Sequence, residues 1–120
     1  MDAGHITVDN RDGVAVVALV GEHDLSTAPD VGYALGQPKV AGLVVDLSQT
    51  TFLDSSILGV LLAAARDSEQ RQASFAVVIP DHPESAARRI FDLTGLISAL
   101  PVETDLDTAV EAGRNSTAPI

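Results

Sequence analysis

Chemistry in this chain concentrates at Asp54-Ser55-Ser56, where one carboxylate stands beside two hydroxyls just ahead of an apolar stripe at helical spacing, Leu58, Leu61, Leu62 and Ala65. Aspartate and serine are the residue types whose side-chain oxygens cap the first free N–H groups of a helix. Ser55 is the expected N-cap, and two hydroxyls for one cap leave one to spare as a nucleophile or phosphate acceptor. Asp54 then either orients that serine and polarises the site or simply favours the positive end of the helix. A second polar group, Glu22-His23-Asp24, follows an early apolar run, and His82 lies after a later one.

The elements that must position these residues alternate between two periodicities. Val14 to Val20, Leu43 to Leu47 and Phe75 to Ile79 are nearly continuous apolar runs rich in β-branched residues, the pattern of strands covered on both faces. Ile6 and Val8 alternate with polar neighbours and lead into Arg11-Asp12-Gly13, which predicts an edge strand and a hairpin. Helices are expected after Ser26 or Thr27, with Pro29 in the first turn and Pro38 as the stop, and after Ser55, fading through Asp67 to Gln72. Another is expected after Pro83, with Ala86, Ala87, Ile90, Phe91 and Leu93 as its apolar stripe, and a last one over 105–112, preceded by a short strand near Leu100 to Val102. The pattern is that of a single α/β domain, a mixed sheet of four to five strands with an N-terminal edge hairpin and about four helices, over 1–113. Residues 114–120 are read as a polar, disordered tail. In such a sheet the loops at the carboxyl ends of parallel strands converge on one edge. Here those loops are Gly21 to Leu25, Ser48 to Ser55 and Pro80 to Pro83.

Phe52-Leu53-Asp54-Ser55-Ser56-Ile57-Leu58-Gly59 resembles the D-S-[ST]-G-L-G signature of STAS domains, the family of bacterial anti-sigma factor antagonists. Val20-Gly21-Glu22-His23-Asp24 resembles the family's G-E-x-D segment, and Arg89-Ile90-Phe91-Asp92-Leu93-Thr94-Gly95-Leu96 its R-L-F-D-x-[ST]-G-L segment, so the likeness covers about residues 6 to 112. The resemblance implies a non-enzymatic switch in which Ser55 is phosphorylated by an anti-sigma factor with serine-kinase activity. The unphosphorylated form binds that kinase and frees a sigma factor, and a metal-dependent serine phosphatase resets the cycle. Glu22, His23, Asp24, Asp54, Ser56 and Ile57 are the expected partner-binding residues. Ile57 stands where the signature has glycine. It either packs into the sheet beside Leu61 or narrows the set of partners that reach Ser55. The alternative within the family is a STAS subunit of a phospholipid ABC transporter or of a stress-signalling complex not controlled by phosphorylation.

Composition bounds the rest. Seven basic against 17 acidic residues give a formal charge of −10, which opposes nucleic acid and anionic membranes and suits a partner with a basic face. No cysteine is present, so disulfides and thiolate chemistry are excluded, and a reducing cytoplasm is the expected compartment in the absence of a signal-like N-terminus. The apolar run from Ile57 to Ala65 is too short to cross a bilayer. Asn115-Ser116-Thr117 matches a glycosylation sequon by chance. His5, His23 and His82 show no metal-ligand spacing, and Glu22, Asp24 and Asp54 read more simply as solvated carboxylates than as a cation cage, so no metal or cofactor is expected. A serine hydrolase lacks its G-x-S-x-G elbow, and no glycine-rich phosphate loop is present. A receiver-type aspartyl phosphate on Asp46 or Asp54 lacks its cation, because the only lysine, Lys39, precedes the central strand.

Overall fold

The computed structural model describes residues 4–37 and 41–116; Pro38, Lys39 and residues 117–120 lie outside the described residues. The chain opens with a hairpin of β1 (His5–Arg11) and β2 (Val14–His23), paired antiparallel with His5 opposite Val20 and Arg11 opposite Val14. Its two-residue turn needs left-handed backbone at both positions, supplied by Asp12 (φ 56°) and Gly13 (φ 89°). Asn10 Oδ1 accepts the Gly13 N–H at 3.1 Å and closes the turn.

Three strands extend the sheet in parallel: β3 (Gly42–Asp46), β5 (Ser74–Val78) and β6 (Val102–Glu103), in the order β1-β2-β3-β5-β6. The chain between the third and fifth strands holds a sixth, β4 (Thr50–Leu53), parallel to the far end of β2. β2 therefore pairs with β3 over Val14 to Ala18 and then with β4 over Gly21 to His23, across a register shift at Gly21 and Glu22. Between β3 and β4 the chain turns with Thr50 N–H on Leu47 O at 3.2 Å, and the Thr50 hydroxyl donates to Leu19 O at 2.6 Å.

Two stretches that the sequence assigns to loops are thus strand. Gly21 to His23 ends β2, and Thr50 to Leu53 is β4. Both pairings are non-local, and the alternation in these pieces is too short to announce a partner 30 residues away.

Among the described residues five helices cover the sheet: α1 (Ala28–Gly36), α2 (Ser55–Gln70), α3 (Ala86–Thr94), α4 (Leu96–Ala99) and α5 (Leu106–Ser116). α1, α2 and α3 bury Val31, Leu35, Ile57, Leu61, Ala87 and Phe91 against one face of β2, β3 and β5, where Val17, Leu19, Val45 and Val77 point. α5 lays Ala109 and Val110 on the other face, against Val14, Val16, Val44 and Val78. This division explains why the three strands read as continuously apolar: alternate residues feed two different cores. α3 begins with Ser85 Oγ accepting Arg88 N–H at 3.2 Å and ends at Gly95, left-handed at φ 79°. The four-residue α4 then follows without a side-chain cap, which leaves no signal for it in the sequence.

The last helix continues past Gly113 to Ser116, into the stretch expected to be a disordered tail, and Arg114 reaches Asp12 in the hairpin turn at 2.7 Å and Glu111 at 3.5 Å. Leu93, counted by its spacing as part of α3's apolar stripe, is 85% exposed, whereas Phe91 is fully buried. The two side chains should separate sharply in urea unfolding. Phe91→Ala is expected to cost about 3–5 kcal/mol through the cavity it leaves, and Leu93→Ala to stay within about 0.5 kcal/mol of the wild type.

Candidate phosphoacceptor site

β4 delivers the chain to α2 through Asp54, and Asp54, not Ser55, is the N-cap, with extended backbone (φ −119°, ψ −175°). Its Oδ1 accepts from Ser56 N–H at 3.0 Å, from the Ser56 hydroxyl at 2.5 Å and from Ile57 N–H at 3.4 Å. Its Oδ2 accepts the Leu25 N–H at 3.2 Å, so one carboxylate joins the start of α2 to the loop between β2 and α1. These donors, the Ser56 hydroxyl first, hold the Asp54 carboxyl below its ordinary value against the opposing effect of desolvation.

The serines part company here. The Ser56 hydroxyl is committed to Asp54. Ser55 is exposed, and its hydroxyl has no hydrogen-bond partner among the described residues. One turn further along α2 the exposed residue is Gly59, with nothing within 4 Å of where a β-carbon would stand. The approach to Ser55 from solvent is therefore unshielded.

The loop facing this helix end is built around His23 and Thr27. His23 is fully buried, its Nε2 lying 3.2 Å from His5 O and 3.1 Å from Val20 O. Two carbonyl neighbours assign the proton to Nε2 and leave Nδ1 facing the Thr27 hydroxyl at 3.1 Å. Thr27 Oγ1 also accepts from Asp24 N–H at 3.1 Å and lies 3.2 Å from Asp24 O. Asp24 in turn takes the Ser26 hydroxyl at 2.6 Å and the Ser26 N–H at 2.9 Å. Chiefly that hydroxyl keeps its carboxyl below the ordinary value, with Asp54 and desolvation pulling the other way.

The structure brings Asp24, Asp54, Ser55 and Ser56 together and removes two expected contact residues from the surface. His23 is a buried brace between β1, β2 and the start of α1, because its Nε2 faces strand carbonyls and its Nδ1 the Thr27 hydroxyl. Ile57 is also fully buried, in the same core as Leu61, so it packs into the sheet and presents nothing to a partner. Glu22 is exposed beside Phe52, its neighbour across β2 and β4. Phe52 and Leu25 are 49% and 73% exposed, so two large apolar side chains stand on the segments that flank Asp54. The roles of Leu25 and Thr27 in the site are not signalled by their types, because they act through a backbone N–H and a part-buried hydroxyl. His82 belongs to a different place, the loop between β5 and α3, where its Nδ1 accepts Glu84 N–H at 3.1 Å. No group of three His, Asp or Glu side chains among the described residues is placed to hold a metal ion.

The family model described as Mlab, STAS domain matches residues 6–101. The chain belongs to the STAS domain family. This STAS domain is 34% identical over 119 residues to the anti-sigma-F factor antagonist RsfB of Mycobacterium tuberculosis, with 94% of each chain covered. It is 32% identical over 91 residues to the anti-sigma-B factor antagonist of Listeria monocytogenes, covering 72% of this chain and 76% of that one. Among solved structures it is similar to an anti-sigma factor antagonist from Mycobacterium paratuberculosis, with a TM-score of 0.81, 36% identity, and 93% and 95% of the two chains covered. No helix among the described residues of the domain is long and apolar enough to cross a membrane.

Because the folded-state pKa of Asp54 is depressed, its contribution is complete above the ordinary value of 3.8 and is lost as pH falls through and below it. Asp54→Ala should cost about 0.5–2 kcal/mol at pH 7. In urea titrations across pH, the gap between variant and wild type should narrow as the pH drops below about 4.

Proposed function

We propose that this STAS domain is an anti-sigma factor antagonist whose binding to its partner is switched by phosphorylation of Ser55. The observation that carries the reading is the division of labour between adjacent serines: Asp54 occupies the Ser56 hydroxyl and leaves that of Ser55 exposed and uncommitted. Likeness in sequence to the antagonists of two other bacteria supports the functional class.

In the transfer step the Ser55 Oγ attacks the γ-phosphorus of ATP held by the anti-sigma factor, which acts as the kinase. The bond from that phosphorus to the β,γ-bridging oxygen breaks, ADP leaves, and the hydroxyl proton passes to a base on the kinase. The STAS domain contributes an accessible nucleophile on a rigid helix end and catalyses nothing itself. A metal-dependent serine phosphatase returns the hydroxyl, and the cycle runs in the cytoplasm.

The phosphate gains little shelter from the helix. Ser56 and Ile57 already donate their N–H groups to Asp54, so the phosphate stays outside that cap, beside the carboxylates of Asp54 and Asp24. A charge of −2 about 8 Å from one acidic group on the partner, at an effective dielectric near 40, costs about 2 kcal/mol before salt removes more than half of it. A large switch therefore needs several partner carboxylates or the phosphate's bulk in a packed contact. In the unmodified state the exposed Leu25 and Phe52, with Glu22, Asp24 and Asp54 around them, fit a partner face with an apolar recess rimmed by basic side chains.

Incubation with the cognate kinase and ATP, followed by intact mass and site mapping, should show one phosphate on Ser55. Ser55→Ala should abolish the mass shift and Ser56→Ala should retain it. Phosphate mapped to Ser56 would overturn the assignment of the acceptor, and capture of transporter subunits with no kinase would overturn the reading in favour of the family's transport or stress-complex alternative. Ser55→Asp should weaken partner binding only in part, since one carboxylate carries about half the charge of a phosphate. A titration at low and high salt checks this, and unchanged affinity at both would remove electrostatic exclusion.

A further inference from the structure

A cavity opens at the same edge of the sheet, between the turn leaving β3, the start of β4 and the first turn of α3, with Pro80 and Ala86 in its wall beside polar side chains. Its volume is ≈ 480 Å³, inside the range of about 300–1,000 Å³ typical of small-molecule sites. Its polar lining is Ser48, Thr51, His82, Glu84, Ser85 and Arg89, together with Thr50, whose hydroxyl is already given to Leu19 O.

The bonds already made decide what these groups can still offer. His82 Nδ1 accepts the Glu84 N–H, so Nε2 carries the proton of the neutral ring and remains a donor. Ser85 Oγ accepts the Arg88 N–H, which leaves its own O–H free to donate. The Ser48 and Thr51 hydroxyls have no partner among the described residues. Arg11, Arg71, Arg88 and Arg114 each lie within ion-pair distance of a carboxylate; of the other two described arginines, Arg66 and Arg89, it is Arg89 that lines this cavity. Arg89 has no such carboxylate among the described residues, in a chain where acidic residues outnumber basic ones 17 to 7.

A guanidinium, an imidazole N–H and three hydroxyls thus line one cavity as available donors, and Glu84 supplies the one opposing carboxylate. That balance matches an oxyanion: a phosphate takes the bidentate guanidinium fork and accepts from hydroxyls. The cavity exceeds what an inorganic ion fills. No aromatic side chain lines it to stack a nucleobase, whereas its hydroxyls suit a polyol. We propose that this cavity binds a small polyol phosphate of the sugar-phosphate class, with Arg89 as the phosphate anchor and His82, Ser48, Thr51 and Ser85 as supporting donors. Glu84 sets an upper limit on affinity by repelling the anion.

The site is independent of Ser55, and its failure leaves the phosphoswitch untouched. The test is an NMR titration of the full chain with glucose 6-phosphate, inorganic phosphate and glucose, following the backbone amides of Ser48, Thr51 and Ser85 and the ring of His82. Glucose 6-phosphate should give saturable shifts confined to these residues, inorganic phosphate weaker ones, and glucose none. Arg89→Gln should weaken the sugar phosphate by about tenfold or more, Glu84→Gln should tighten it, and Ser55→Ala should leave it unchanged. Preserved amide dispersion in Arg89→Gln establishes that this variant is folded. Absence of saturable shifts with either phosphate, or binding undiminished in Arg89→Gln, overturns the proposal. Inorganic phosphate binding as tightly as the sugar phosphate overturns its organic half.

Discussion

The Asp54 carboxylate is the interaction on which the site depends. One oxygen takes the first turn of α2 and the Ser56 hydroxyl; the other takes the Leu25 N–H from a loop 29 residues earlier in the chain. A helix cap alone contributes about 1 kcal/mol. By spanning two elements this cap also fixes where Leu25 and Asp24 stand relative to Ser55, and it decides which of two chemically equal serines is free. Beneath it, β4 pairs with the end of β2, and His23 ties that end to β1 and Thr27. The helix end and the loop therefore rest on strand pairing, and the exposed hydroxyl sits on a rigid mount.

Charge organises the outside of the molecule as burial organises the inside. With a formal charge of −10, the domain as a whole opposes polyanions, and the carboxylates near Ser55 add a local concentration of the same sign. A phosphate placed there extends an existing acidic surface, so its effect is felt by the partner more than by the fold. Most described arginines are spent on structural pairs, such as Arg114 with Asp12, which fastens α5 to the first hairpin, and Arg88 with the carbonyls of Ile79 and Pro80. Arg89, like Arg66, has no carboxylate within ion-pair distance among the described residues, and it lines the cavity between β4 and α3.

The α/β architecture, the hairpin and the helix after Asp54 were legible because continuous β-branched runs and helical spacing report burial directly. β4 was not, since Thr50 to Leu53 pairs with residues far away and is too short to show its period. Ser55 and Asp54 were legible as a pair, but their roles at the cap were exchanged: both residue types cap helices, and only geometry shows which backbone is extended. Ile57 illustrates a second limit. Its departure from the family's glycine drew attention to specificity, and only its direction, into the core beside Leu61, reveals it as packing. His23 failed for the same reason, a polar residue in a polar segment whose side chain points inward to strand carbonyls.

The central claim is that a phosphate on Ser55 controls partner binding without disturbing the fold. The most direct measurement is calorimetric titration of the anti-sigma factor with the domain carrying phosphoserine at position 55, alongside the unmodified domain, each checked for identical thermal unfolding. The account predicts binding weaker by about tenfold or more, equivalent to about 1.4 kcal/mol, with the difference shrinking at high salt. Equal affinity of the two forms would contradict it.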